Sequence, residues 1–287
     1  MNLTEQVIRS FQNIENERHR FLITTFIKKL HEYVRETEPS EQEWEQAIRF
    51  LTETGKLCHE QRQEYILLSD VLGVSMLIDQ ILHEKNEVQT PSTVFGPFFI
   101  DNMPIRPFGS SIISDDAAAP PLLVRGKITD IEGNPVAGAR IDVWQTAENG
   151  MYSGQDPHQS TDNLRGVFLS QEDGSYAFQT ILPVSYPIPD DGTVGKLMAY
   201  AKRSVWRPAH IHFKIEADGF QGLVTHLFLE GDEYLQNDAV FGVKDRLIVR
   251  YSEEKADDTS RERYGLNTDY RLIEYDFILT GDESRER

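Results

Sequence analysis

The chain has 287 residues, of which 39% are hydrophobic and 26% charged, a composition that excludes a disordered or collagen-like protein. Its 47 acidic residues outnumber its 29 basic residues, and the formal net charge of −18 repels nucleic acid and anionic lipid surfaces. The single cysteine, Cys58, excludes an internal disulfide framework.

The first ninety residues are predicted to be helical. Apolar side chains recur at helical spacing over residues 21–30. Ser40 and Glu43 have the spacing of a capping box, which indicates a helix that begins there and buries Trp44. Residues 63–83 are apolar around much of the helical circumference, so we expect one long helix packed on two sides.

From about Pro91 the pattern changes to turns and short strands. Strands are predicted where polar and apolar residues alternate, at 122–130, 139–146, 209–217, 223–229 and 271–279. A hairpin is predicted over residues 166–182, around a Glu-Asp-Gly turn. Short strands with regular turns are typical of an antiparallel sandwich or barrel, so the sequence predicts an α+β protein.

His210 and His212 are candidate metal ligands, because residues i and i+2 of a strand point to the same face of the sheet. Trp206 and Phe213 flank the pair, and imidazoles buried among apolar neighbours need polar partners. The alternative is an edge strand that carries two solvated histidines. No cysteine lies nearby in the sequence, which disfavours a zinc finger or a blue-copper centre.

Two histidines do not complete a metal site, and the residues leave two ways of completing it. Asp190 and Asp191 offer carboxylates, as in a site with two histidines and one carboxylate. Tyr152 and Tyr186, each in a loop-like context, offer phenolate oxygens suited to Fe(III). Periodicity does not choose between these donors, nor does it select two tyrosines among the eleven in the chain.

Five motifs in chain order resemble the intradiol ring-cleavage dioxygenases, the non-haem Fe(III) enzymes of the catechol 1,2-dioxygenase family. They are TVFGPFF, YSGQDP, YPIPDDGTVGKL, WRPAHIHF and LVTHLFLEGDEYLQNDAVFGV, and they span most of residues 91–250. The resemblance implies a helical linker and dimerisation domain at 1–90 and an antiparallel β-sandwich catalytic domain at 91–287. It also implies that the helical segment 60–85 packs partly onto the active site.

The resemblance further implies one Fe(III) per subunit, held by two tyrosines and two histidines. Motif by motif, these ligands are Tyr152, Tyr186, His210 and His212. Tyr186 is expected to dissociate from the metal and act as a base for the substrate. Arg207 in WRPAH matches the catalytic arginine of the family, a fixed cation for the negative charge that develops on the substrate ring.

His226 departs from the catechol 1,2-dioxygenases, which commonly carry glutamine at this position. Histidine here resembles the hydroxyquinol 1,2-dioxygenase branch, which implies cleavage of hydroxyquinol with O2 to 3-hydroxy-cis,cis-muconate and maleylacetate. His226 either bonds the substrate or holds neighbouring polar groups. Asp70 is expected to accept a hydrogen bond from the third hydroxyl. The residues that match the substrate pocket are Leu67, Asp70, Val94, Phe95, Gly96, Pro97, Phe98, Ile188, Pro189 and Val240.

Three other functions stay open at this point: a catechol or chlorocatechol 1,2-dioxygenase, a non-catalytic β-sandwich binding module, and a zinc hydrolase that leaves both tyrosines unexplained. The resemblance implies a homodimer joined through the N-terminal helices, with a small aromatic diol or triol and O2 as substrates. It leaves open a lipid bound at the dimer interface. Without a run of about eighteen apolar residues we expect no membrane span, and the net charge of −18 leads us to expect no binding to nucleic acid. The polar N-terminus, which does not resemble a secretory signal, and the single cysteine lead us to expect a cytoplasmic protein.

Overall fold

The fold was analysed in a computed structural model that describes residues 2–59, 62–83, 87–115 and 119–282. The chain divides into two compact units, Met1–Lys56 and Leu57–Arg287. In the described ranges no single helix has the length and apolar character needed to cross a membrane, although one bent pair of helices meets those two criteria together.

The first unit contains three helices, α1 (Leu3–Ser10), α2 (Glu17–Thr37) and α3 (Glu41–Lys56). The predicted capping box is confirmed, since the Glu43 backbone N–H donates to Ser40 Oγ and the Ser40 N–H donates to the Glu43 carboxylate. The expected burial of Trp44 is wrong for the single chain, because 59% of this side chain is exposed. Phe21 and Phe26 are exposed as well, so the unit presents apolar side chains to its surroundings.

The second unit begins with α4 (Glu64–Val71) and α5 (Val74–His83). The prediction of one long helix is wrong here, because the two helices are bent by 73° at the break between them. Gly73 adopts a φ of +73°, a left-handed conformation that ends a helix without the strain a side chain would add.

Helix α4 belongs to the sandwich unit because its buried face packs there. The buried Glu64 carboxylate accepts hydrogen bonds from the Val194 backbone N–H and from Arg62, and Arg62 also pairs with Asp191. The expected domain boundary lies at residue 90, whereas the two compact units divide between residues 56 and 57.

The rest of the unit consists of short strands and two further helices. In chain order they are β1 (Leu122–Asp130), β2 (Arg140–Trp144), β3 (Arg165–Leu169), β4 (Ser175–Thr180), β5 (Tyr186–Pro187), α6 (Thr193–Tyr200), β6 (Trp206–Arg207), β7 (His210–Glu216), β8 (Leu223–Leu229), β9 (Ile248–Val249), β10 (Ser252–Glu254), α7 (Asp258–Tyr264), β11 (Tyr270–Glu274) and β12 (Phe277–Leu279). Four of the five strands predicted from alternation are present, and the fifth, predicted over 271–279, is divided into β11 and β12, which pair with different parts of β1.

Two five-stranded sheets pack face to face, which confirms the expected sandwich. One sheet has the order β10-β11-β1-β12 with β4 also on β1, and the other has the order β3-β2-β7-β8-β9. The sheets are mixed, since β1 runs parallel to β11 and β12, and β8 runs parallel to β9. Phe213 of the second sheet packs against Phe178 and Phe277 of the first, in a core that is closed to solvent.

The hairpin predicted over residues 166–182 is wrong. The turn is present, but β3 pairs with β2 while β4 pairs with β1, so the two strands lie in different sheets. Phe168 and Phe178 therefore stack across the core, with ring centroids 5.5 Å apart. The alternation of polar and apolar residues indicates which residues face the core. A hairpin within one sheet and a connection between two sheets have the same alternation, so the pattern does not distinguish them.

Candidate active site

Four of the predicted site residues meet at one buried point of the sandwich unit. Tyr152 lies in the loop between β2 and β3, Tyr186 lies on β5, and His210 and His212 lie on β7. Tyr152 Oη is 3.1 Å from Tyr186 Oη and 2.7 Å from His212 Nε2. His210 Nε2 is 3.1 Å from His212 Nε2, so the four donor atoms form a continuous chain of short distances.

Local structure explains how each side chain reaches this point. His210 and His212 share one face of β7, as the strand periodicity predicts. The short β5–β6 ribbon pairs Tyr186 with Arg207 and so brings both side chains to the same place. Before Tyr152 the chain turns at Gly150, which has a φ of +77°, and a Cβ there would stand 3.3 Å from the Tyr186 Cβ. A side chain at residue 150 would therefore add strain and crowd the second tyrosine.

The protonation states of these groups follow from their burial. Burial and the nearby Arg207 charge lower the pKa of His210 well below its usual range, and burial with the neighbouring histidines does the same for His212. Both imidazoles are therefore neutral, the form that binds a metal ion. Burial and the adjacent Tyr186 raise the pKa of the Tyr152 phenol well above its usual value. The deprotonated, phenolate form of Tyr152 therefore needs a strong positive charge nearby, such as that of a bound metal ion.

The donor set fits a hard metal ion. His210 Nδ1 lies 2.6 Å from the Pro208 carbonyl oxygen, an N–H donation that leaves Nε2 as a lone-pair donor facing the tyrosines. Within the described residues, the cluster of histidine, cysteine and carboxylate groups spaced for a metal consists of His210, His212 and His226, with ligand nitrogens within 4.8 Å of one another. Two neutral imidazoles and two ionisable phenols suit Fe(III).

The carboxylate alternative does not gather at this point. Asp190 and Asp191 are both exposed, and the Asp191 carboxylate is 2.8 Å from Arg62 Nη1. The sequence left open two kinds of oxygen donor, and of these the tyrosines, not the aspartates, lie beside the two histidines.

Arg207 supplies a fixed positive charge beside the donor cluster. Its Nη1 lies 3.3 Å from His210 Nε2, and its Nε donates to Asp238 Oδ1 at 3.1 Å. Burial opposes the charged form, but the charge and hydrogen bond of Asp238, together with the nearby Tyr186 and Tyr152, outweigh it and raise the pKa of the guanidinium above its usual value. The Gly242 backbone N–H donates to Asp238 Oδ2 at 2.9 Å, so the loop after Asp238 holds this carboxylate in place.

His226 lies beside the donor cluster because β8 pairs with β7 in a register that sets His226 opposite His212. The two imidazole centroids are 4.1 Å apart, and His226 Nδ1 is 3.2 Å from Thr93 Oγ1. Burial, the neighbouring His210 imidazole and the Arg207 charge lower the pKa of His226 well below its usual range. Its Nε2 is buried without a hydrogen-bond partner among the described residues.

The residues matched to the substrate pocket are placed in different ways. Five of them are buried: Leu67, Asp70, Val94, Ile188 and Val240. Phe98 stacks on the Tyr152 ring at 4.6 Å, and a Cβ on Gly96 would stand 3.5 Å from His212 Cε1. Pro189 is half-buried. Phe95 and Pro97 are exposed, and the Phe95 ring contacts Trp144.

Sequence reasoning missed three residues around the site. Trp144 on β2 stacks on the His212 ring at 4.6 Å with an interplanar angle of 15°. Asp238 binds Arg207, and Arg165 on β3 lies over the Tyr152 ring. For Asp238 the available signal was that a buried arginine requires a carboxylate partner. The other two depend on the pairing of strands, which periodicity does not report.

Comparisons with known proteins agree with this geometry. A family model described as "Dioxygenase" matches residues 94–281, and one described as "Catechol dioxygenase N terminus" matches residues 16–90. A hydroxyquinol 1,2-dioxygenase of Rhizobium sp. is 45% identical over 276 residues, which cover 96% of this chain and 93% of the relative.

Two crystal structures superpose along nearly the whole chain. Hydroxyquinol 1,2-dioxygenase from Pseudomonas putida DLL-E4 has a TM-score of 0.89 and 48% identity, with 97% of each chain covered. Wild-type catechol 1,2-dioxygenase from Acinetobacter radioresistens has a TM-score of 0.84 and 26% identity, with 98% of this chain and 94% of that chain covered. The chain therefore belongs to the intradiol ring-cleavage dioxygenases, as its five motifs and its two tyrosines and two histidines indicate.

Proposed function

We propose that this protein cleaves hydroxyquinol (benzene-1,2,4-triol) between its adjacent hydroxyls, with both atoms of O2 entering the product 3-hydroxy-cis,cis-muconate, which tautomerises to maleylacetate. The observation that carries the proposal is the buried meeting of Tyr152, Tyr186, His210 and His212, with 3.1 Å or less between successive donor atoms. The choice of hydroxyquinol is supported by identities of 45% and 48% to two hydroxyquinol 1,2-dioxygenases, against 26% to a catechol 1,2-dioxygenase.

We assign one Fe(III) per subunit to these four side chains. Bound Fe(III) would draw electron density from a chelated aromatic diol and so make its ring reactive toward dioxygen. The neutral state of both imidazoles and the orientation of His210 by the Pro208 carbonyl support this assignment.

The two tyrosines are suited to different roles. Tyr152 is fully buried, with Phe98 stacked on its ring and His212 2.7 Å from its hydroxyl, so it acts as the fixed ligand. Tyr186 lies on the two-residue strand β5, paired across the ribbon with Arg207 of β6. A diol that chelates a metal must lose two protons, and Tyr186 Oη is the group that would accept one of them.

Arg207 stabilises the negative charge that ring cleavage places on the substrate. A guanidinium keeps its charge, and a preorganised charge in a buried site acts more strongly than one in water. Asp238 orients the Arg207 group through Nε and, at 3.4 Å, through Nη2. The substrate therefore meets a cation whose position is fixed before it binds.

Two buried polar groups are candidates for reading the third hydroxyl of hydroxyquinol. Burial raises the pKa of Asp70, and a hydrogen bond from Ser75 and the Arg207 charge oppose this rise. His226 carries a buried Nε2 that no described residue bonds. A third hydroxyl would give His226 Nε2 a partner and Asp70 a further one beside Ser75, whereas catechol would leave His226 Nε2 unpaired.

Turnover and spectroscopy together test this function. We expect a visible charge-transfer band from tyrosinate to Fe(III) in the loaded protein, a shift of the band with hydroxyquinol under anaerobic conditions, and faster turnover of hydroxyquinol than of catechol or chlorocatechol. His226→Gln and Asp70→Asn should move this preference toward catechol. Preferred turnover of catechol would identify a catechol 1,2-dioxygenase instead. A protein that stays colourless after Fe(III) reconstitution would leave a zinc enzyme or a binding module.

We also propose a homodimer joined through the N-terminal helices. Phe21, Phe26 and Trp44 are 58%, 66% and 59% exposed in the single chain, and a second copy would cover such side chains. Light scattering should give twice the chain mass, and Phe26→Glu should reduce it to one. Mass spectrometry of an organic extract checks for a lipid at the interface. We expect the protein in the cytoplasm, since its single cysteine calls for no oxidising compartment.

A further inference from the structure

Over the Tyr152 ring lies a buried guanidinium that has no carboxylate partner among the described residues. Arg165 is 2% exposed, and its Nε donates to Ser153 Oγ at 2.7 Å. Its Nη2 has no hydrogen-bond partner, and in the described part of the chain no carboxylate lies within ion-pair distance of it. Arg207, by contrast, is paired with Asp238. The site thus contains two buried cations, of which one is neutralised by a carboxylate.

Such a group is costly unless the fold supplies a negative charge nearby. Burial lowers the pKa of Arg165 to about 10, so the side chain is still charged at neutral pH. Its Cζ lies 5.8 Å from the centroid of the Tyr152 ring, within the range of an attractive cation–π contact. The positive charge of Arg165 is therefore directed at one of the two tyrosines.

We propose that Arg165 is a positioning residue, a fixed positive charge over the Tyr152 ring that serves as a counter-ion for Tyr152 when this side chain binds the metal as a phenolate. This inference rests on the proposed Fe(III) site. A phenolate at Tyr152 would give Arg165 the anion that it lacks among the described residues, whereas Arg207, which also lies near both tyrosines, is already paired with Asp238.

Two measurable consequences follow from this charge balance. A cation close to the Tyr152 ring stabilises the electrons that the phenolate donates, so its removal should move the charge-transfer band to longer wavelength. In addition, metal binding supplies the anion that Arg165 lacks. Removal of the Arg165 charge should therefore stabilise the metal-free protein and destabilise the metal-loaded protein. As a result, the rise in melting temperature on metal loading should be smaller.

The test compares Arg165→Gln, which retains a donor for Ser153 but no charge, with Arg165→Lys, which retains the charge. Arg106→Gln is a matched control, because Arg106 is a partly buried arginine that is paired with Asp162 at 3.0 Å. Each variant is loaded with Fe(III), and the resting absorption spectrum and the melting temperatures with and without metal are measured. We expect a red shift and a reduced metal-induced gain for Arg165→Gln, and wild-type behaviour for Arg165→Lys and Arg106→Gln.

A band for Arg165→Gln that coincides with the wild-type band would overturn the proposal, as would an equal shift in Arg165→Lys. If Arg165→Gln does not fold, Ser153→Ala releases the guanidinium by removing its hydrogen bond and should shift the band in the same direction by less. An unchanged band in Ser153→Ala then overturns the proposal. A wild-type protein without any charge-transfer band would refute the iron site itself, and this inference with it.

Discussion

Replacement of Asp238 by asparagine tests the buried ion pair beside the donor cluster. The side chains of Arg207 and Asp238 are 4% and 2% exposed, so the change leaves a guanidinium charged and buried without its anion. The asparagine amide also sets an N–H group against either Arg207 or the Gly242 N–H, both of which now donate to the carboxylate. Asp238→Asn should therefore lower both the stability of the fold and the fixed orientation of the arginine.

The size of the loss follows from the burial. Removal of one partner of a buried ion pair costs about 3–5 kcal/mol in the free energy of unfolding. The partly exposed pair of Arg106 and Asp162 gives the comparison, since the Asp162 side chain is 42% exposed and its loss should cost about 1 kcal/mol or less. Loss of a preorganised charge-stabilising group lowers kcat by about 10²–10³. We expect the effect of Asp238→Asn on kcat to approach that range, with a smaller change in KM.

Urea unfolding of the metal-free protein, followed by circular dichroism, measures the stability term. The wild type, Asp238→Asn, Arg207→Met and the double variant form a cycle whose coupling energy should exceed the cost of Arg207→Met alone, about 3–5 kcal/mol, and Asp162→Asn is the control. The double variant should be more stable than Asp238→Asn, because it no longer buries an unpaired cation. An Asp238→Asn protein as stable and as active as the wild type would refute the reasoning.

Three further predictions concern the surroundings of the site. Trp144→Leu removes the ring that stacks on His212, whose Nδ1 has no hydrogen-bond partner among the described residues. This change should weaken metal binding about 10–100-fold, measured by competition with a chelator, and Trp144→Phe should weaken it less. Gly73→Ala places a side chain at a φ of +73° and should destabilise the fold by about 1 kcal/mol, measured by urea unfolding, and an unchanged midpoint would contradict the strain argument. Removal of iron by a chelator should abolish the charge-transfer band and lower the melting temperature, and Tyr152→Phe should lose the band more fully than Tyr186→Phe.

The sequence by itself determined the features that depend on neighbours along the chain. The i, i+2 spacing of His210 and His212 placed both rings on one face of β7, and alternation located the main strands. The capping box located the start of α3. Motif resemblance, rather than spacing, selected Tyr152 and Tyr186 from eleven tyrosines. Each of these inferences uses a periodicity or a motif that is short compared with the fold.

Tertiary structure decided which distant segments meet. The register of β2, β7 and β8 sets Trp144, His212 and His226 side by side, and the same periodicity is compatible with other registers. The strands on either side of the turn at 170–174 entered different sheets, although their pattern suits a hairpin equally well. Arg165 came to lie over Tyr152 because of long-range packing, whose energy depends on burial and charge in three dimensions and leaves no periodic trace in the sequence.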